Sequence, residues 1–69
     1  GREGNAACIL NAANEVVVSA FLEDKISFLG MSEVIENCLA KVDFVKTPSL
    51  EDYISTDKET RIKALEFIN

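Results

Sequence analysis

Apolar positions along this chain fall into blocks divided by short polar connectors, and within the blocks they recur at helical spacing. The clearest block is Met31, Val34, Ile35, Cys38, Leu39 and Val42. This i, i+3, i+4, i+7, i+8, i+11 series lays one apolar stripe along a helix. Glu33, Glu36, Asn37 and Lys41 take the opposite, solvated side. Upstream, residues 6 to about 23 contain neither proline nor glycine, and Gly4-Asn5 offers an asparagine N-cap. Val16, Val17 and Val18 could belong to a strand, but an uninterrupted stretch of this length suits a helix. Asp24 to Gly30 reads as a connector with Phe28 and Leu29 as apolar anchors. Asp43 to Pro48 reads as a second one, because proline disfavours helix at Thr47.

Beyond Pro48, Ser49 is the N-cap of a short predicted helix with Leu50, Tyr53 and Ile54 on one face. Thr56-Asp57-Lys58-Glu59 fits a capping box that opens a separate final helix. That helix has a predicted buried stripe of Ile62, Leu65 and Ile68, with Ala64 and Phe67 beside it. Glu59 and Lys63 form a favourably ordered i, i+4 charge pair. The expectation is an all-α fold spanning residues 1–69: a small four-helix bundle-like domain of three main helices plus one short helix.

The first helix departs from the ordinary surface pattern. At about 100° per residue, Asn11, Asn14 and Glu15 share one narrow side. The arc from Ala12 through Val16, Ile9, Ala20 and Ala13 to Val17, Leu10 and Phe21 is apolar. It covers about 180°, against the roughly 100° stripe that a surface helix needs. Val18 and Leu22 then continue the polar side as an apolar one. A helix apolar nearly all round is normally enclosed, and three short partners cannot easily enclose this one. Asparagine is a poor helix former, so two in a helix interior need a reason. The sequence therefore predicts Asn11, Asn14 and Glu15 as an interdomain interface that bonds to backbone groups of a second surface. The simpler alternative is a solvated bundle edge.

Composition narrows the partners. Twelve acidic against seven basic residues give a net charge of −5, which disfavours nucleic acid and anionic membrane surfaces. No apolar run reaches the roughly 20 residues of a membrane span, and no signal-peptide pattern is present. A chain of this length buries only about 60% of its extended-chain surface, so its stability alone is marginal.

Candidate chemistry is sparse. Cys8 and Cys38 sit among apolar neighbours and read as small core residues. Without histidine or paired cysteine spacing there is no zinc pattern. Gly1-Arg2-Glu3-Gly4 lacks the spacing and the preceding strand of a dinucleotide loop. Asp52, Asp57 and Glu59 lie where helix starts favour negative charge, and Glu23-Asp24 reads as a solvated helix end. No nucleophile and base pair presents itself. Catalytic, cofactor-binding and metal-binding residues are therefore expected to be absent.

"LNAANE" at residues 10–15, followed by a small apolar run and "AFL", resembles the opening of the C-terminal helical domain of the 1-deoxy-D-xylulose 5-phosphate reductoisomerase family. "KISFLGMSEVIE" and "TPSLEDYISTDKETRIKA" are similar to later segments of the same domain. The resemblance covers the whole chain, with the hexapeptide its specific part. It implies a larger enzyme with an NADPH-binding domain and a catalytic, dimerising domain. That enzyme uses Mg²⁺ or Mn²⁺ to rearrange and reduce 1-deoxy-D-xylulose 5-phosphate to 2-C-methyl-D-erythritol 4-phosphate in non-mevalonate isoprenoid synthesis. By the same resemblance, its cofactor and metal ligands lie upstream of the helical domain. The implied partner of this fragment is the catalytic domain of the same polypeptide, within a homodimer. The implied location is the bacterial cytoplasm, or else a plastid.

Two other readings start from the same residues. A stand-alone helical interaction module would use the first helix to dock elsewhere. An acyl-carrier-like protein would need Asp-Ser-Leu, where this chain has Pro48-Ser49-Leu50.

Overall fold

A computed structural model describes residues 4–68 as three helices, α1 (Ala6–Leu22), α2 (Phe28–Lys41) and α3 (Leu50–Ile68). Residues 1–3 of the glycine-flanked opening stretch lie outside the described residues. Two reversing connectors make α2 antiparallel to its neighbours and leave α1 and α3 running the same way. Contacts confirm the direction, since Asn5 meets Thr56 and Glu15 meets Arg61. The core is thin. Ile9, Ala13 and Val17 of α1 meet Val34 and Cys38 of α2, Val42 just beyond it, and Ala64 of α3.

Each helix end has a local cause. α1 closes in a Schellman arrangement: Lys25 N–H donates to Ala20 C=O at 2.9 Å and Asp24 N–H to Phe21 C=O at 3.0 Å. Asp24 adopts the left-handed conformation (φ 60°) that glycine usually fills there. α2 begins at Phe28, earlier than the sequence pattern predicts, because the Ser27 hydroxyl accepts from Gly30 N–H at 3.0 Å. Gly30 is therefore a first-turn residue, and Phe28 and Leu29 belong to the helix.

The short helix and the final helix are one continuous α3. The capping box sits at its true start. Asp52 N–H donates to Ser49 Oγ at 3.1 Å, and Ser49 N–H donates to Asp52 Oδ2 at 3.0 Å. Thr56 is instead mid-helix and buried. The inward face of α3 is Thr56, Thr60 and Ala64, with Phe67 and Ile68 partly covered, whereas Ile62 and Leu65 are about half exposed. The stripe differs from the predicted one because two of its inward positions are threonines, which a search for apolar residues passes over. No ion pair joins Glu59 to Lys63 among the described residues; Asp57 and Arg61 make the i, i+4 pair at 2.9 Å.

Asn5 does not cap α1 with its side chain. It is wholly buried and ties the three helices together at one end. Its Nδ2 donates to Asp43 C=O (3.0 Å) and Thr56 Oγ1 (2.8 Å), while its Oδ1 accepts from Val45 N–H (2.9 Å). Its own N–H donates to Val45 C=O at 3.1 Å. Gly4 permits this approach with φ +75°, and a Cβ there would overlap the Val45 carbonyl oxygen.

Asn5→Ala removes three hydrogen bonds at once, one to the buried Thr56 and two to part-buried backbone groups, so a loss of about 2–3 kcal/mol is expected in urea denaturation. The two α3 threonines should respond oppositely. Thr60 Oγ1 is buried without a hydrogen-bond partner among the described residues, so Thr60→Val should be neutral or stabilising by up to about 1 kcal/mol. Thr56→Val removes an acceptor from Asn5 and should cost about 1–2 kcal/mol in the same measurement.

Candidate functional site

The inward face of α1 is Ile9, Ala12, Ala13, Val17 and Ala20, with Val16 partly covered. This is narrower than the helix's apolar arc. Leu10 and Phe21, counted on that arc, are exposed, as are Val18 and Leu22 on the side facing away. Neither α2 nor α3 covers Asn11, Asn14 or Glu15, all three of which are exposed.

The trio divides by its bonding. Glu15 accepts from Arg61 Nη2 at 2.8 Å, while Arg61 Nε donates to Asp57 Oδ2 at 2.9 Å. Arg61 is thus a bridge across α1 and α3, and its two carboxylate bonds, Asp57 foremost, raise its pKa further above its already high ordinary value. Asn11 and Asn14 make no side-chain hydrogen bond among the described residues. They stand one turn apart on a face otherwise formed by Ala7, Leu10, Val18 and Leu22. Sequence reasoning grouped the trio by position on the helix; it missed Arg61, whose i, i+4 partner Asp57 was the available signal.

A cleft of about 400 Å³ opens between the C-terminal halves of α1 and α3. Val16, Ala20, Leu65 and Ile68 line it with Glu15, Glu23, Lys25 and Arg61. Both cations are already paired, Lys25 with Glu23 at 3.1 Å and Arg61 with Glu15 and Asp57. The cleft therefore offers no unpaired charge to an anionic ligand. Among the described residues no three cysteine, aspartate or glutamate side chains gather where they could hold a metal ion.

Both cysteines are free. Cys38 is fully buried in the core, its thiol 3.9 Å from Thr60 C=O. Cys8 is only half-buried, its thiol 3.5 Å from Tyr53 C=O, so it is less interior than the sequence implied. Burial raises both thiol pKa values. Asp57 adds to the rise at Cys8, whereas Arg61 opposes it there and Lys63 opposes it at Cys38.

The family model for the DXP reductoisomerase C-terminal domain matches residues 1–63. This chain belongs to that family. Curated relatives named 1-deoxy-D-xylulose 5-phosphate reductoisomerase agree. The one from Phocaeicola vulgatus is 60% identical over 68 residues, 99% of this chain and 18% of its own length. The Bacteroides fragilis relative is 61% identical over 67 residues, 97% of this chain and 17% of its own length. The Bacillus pumilus relative is 48% identical over 58 residues, 84% of this chain and 15% of its own length. The chain thus spans less than a fifth of the length of the curated relatives it matches, in which this domain is one part of a longer polypeptide. No solved structure matches it.

The thiol environments give a direct expectation. At pH 8, Ellman's reagent should react slowly with Cys8 and with Cys38 only as fast as the domain opens. Because the folded pKa values are raised, their contribution to stability is complete below the ordinary thiol pKa of about 8.5 and declines as pH rises past it. Denaturation midpoints measured between neutral and alkaline pH should fall accordingly.

Proposed function

We propose that this domain is a non-catalytic brace within an NADPH-dependent reductoisomerase. The whole enzyme would convert 1-deoxy-D-xylulose 5-phosphate to 2-C-methyl-D-erythritol 4-phosphate with Mg²⁺ or Mn²⁺, as a cytoplasmic homodimer. The family match over residues 1–63 carries the identity of the reaction. The described residues supply neither a glycine-rich strand-to-helix turn for a dinucleotide nor a cluster of oxygen ligands. The chemistry is assigned to the rest of the polypeptide, and no step of it to these helices.

The bracing role is supported by the outward face of α1. Asn11 and Asn14 carry unused donors and acceptors amid exposed apolar side chains, a combination suited to an interface rather than to open water. Docking against the catalytic domain would satisfy those amides and cover Leu10, Val18 and Leu22. Glu15, held by Arg61, would present a fixed charge at the edge of that contact.

In the full-length enzyme, Asn11→Ala and Asn14→Ala should each lower the melting temperature by roughly 2 °C or more. They should also raise the substrate KM, with kcat nearly unchanged. Differential scanning fluorimetry and steady-state kinetics test this together. Unchanged melting and KM in both variants would rule out the docking role.

A further inference from the structure

We infer that the hydrophobic corner where α1 turns into α2, made by Phe21, Leu22, Phe28 and Leu29, is the principal anchor of this domain on the rest of its own polypeptide. The inference rests on the docking role proposed for α1. It adds where the contact is strongest and what meets it: an apolar pocket.

Leu22, Phe28 and Leu29 are 76%, 73% and 78% exposed, although all three are large and apolar. They occupy the last position of one helix and the first two of the next. Helix starts favour polar or acidic residues, yet the first turn of α2 contains no acid. The Phe21 and Phe28 rings meet edge to face, with centroids 6.2 Å apart and planes at 67°, so the two helix ends present one surface. The flanking charges of Glu23 and Lys25 are paired with each other at 3.1 Å, which leaves the exposed Asp24 as the one unpaired charge of the turn among the described residues.

The corner is also held firmly. The left-handed turn at Asp24 closes α1, and the Ser27 cap opens α2. Side chains on a fixed frame lose less freedom on docking, and aromatic residues are favoured among those that dominate interfaces. The four side chains offer on the order of 500 Å² of apolar surface, which matches the largest patches on monomers. It is also more than half of the ~800 Å² per partner of a standard interface. Another exposed apolar site, Leu50, Tyr53 and Ile54 on α3, has one aromatic ring where the corner has a pair, and it is flanked by Glu51 and Lys58. Length points to the occupant: the matched segment is 18% of the Phocaeicola vulgatus relative, so most of such a polypeptide is left to supply the pocket.

The test uses the full-length enzyme carrying Leu29→Ser, Phe28→Ser or both, with Leu50→Ser as a control of similar exposure. Hydrogen exchange read by mass spectrometry should show the peptide over residues 20–30 protected in the wild type. Exchange there should quicken at least tenfold in the double variant, while residues 34–42 keep their protection. Leu50→Ser should leave both regions unchanged. Leu29→Ser guards against a folding defect, because that side chain is the most exposed of the four.

A corner that exchanges freely in the wild type, or a double variant indistinguishable from it, would overturn the inference. So would loss of protection across residues 34–42, which would mark an internal structural role. Dissociation of subunits by sedimentation, with domain docking intact, would assign the corner to a second copy and overturn the stated occupant. Failure of the docking role itself looks different: deletion of residues 6–68 would then leave the melting of the remaining enzyme unchanged.

Discussion

One buried amide organises this domain. Asn5 stands at the start of α1, yet its side chain reaches the α2–α3 connector and the interior of α3, and its main chain pairs with Val45. Without it the buried Thr56 hydroxyl and two part-buried backbone groups of the connector would lose these bonds, so the connector follows a single path. The path of that connector sets where α3 begins and which of its faces turns inward. Gly4 is part of the same device, since only a residue without a Cβ lets the chain enter so close to Val45.

From this constraint the outward surfaces follow. With Thr56 drawn to Asn5, the inward line of α3 continues through Thr60 and Ala64, and Ile62 and Leu65 turn away. With α3 lying parallel to α1, Arg61 comes level with Glu15 and fixes that carboxylate within the domain. Asn11 and Asn14 are left unbonded on the far side of α1. The surface proposed for docking is thus a by-product of how the interior is locked.

Much of this was legible in the residues themselves. The period of Met31 to Val42 located α2, the proline-free stretch from Ala6 located α1, and Ser49 marked the start of α3. "LNAANE" pointed to the family that the comparisons then established. The unreadable parts share one physical cause: a polar residue whose partner is remote in sequence. Asn5 looked like a local cap, although its partners lie 38 to 51 positions away. Thr56 and Glu59 matched a local motif that the distant amide of Asn5 overrode. Gly30 suggested a loop, whereas the Ser27 bond makes it a helical residue. Phe28 and Leu29 read as anchors in a connector yet stand exposed on a helix, because apolarity alone does not reveal which side of a bundle a residue faces.

The distribution of side-chain size around α1 has a consequence of its own. Its inner wall is largely alanine and valine, which let three backbones close tightly but remove little hydrocarbon from water. Of its four bulkiest groups, Ile9 alone is inside, and Leu10, Phe21 and Leu22 point outward. Such a helix is an inverted amphiphile, with its bulk on the solvent side of its own bundle. Solubility of the fragment and docking to a host therefore make opposite demands on those three positions. Polar replacements there would make the fragment easier to handle while erasing the feature that suits it to a host.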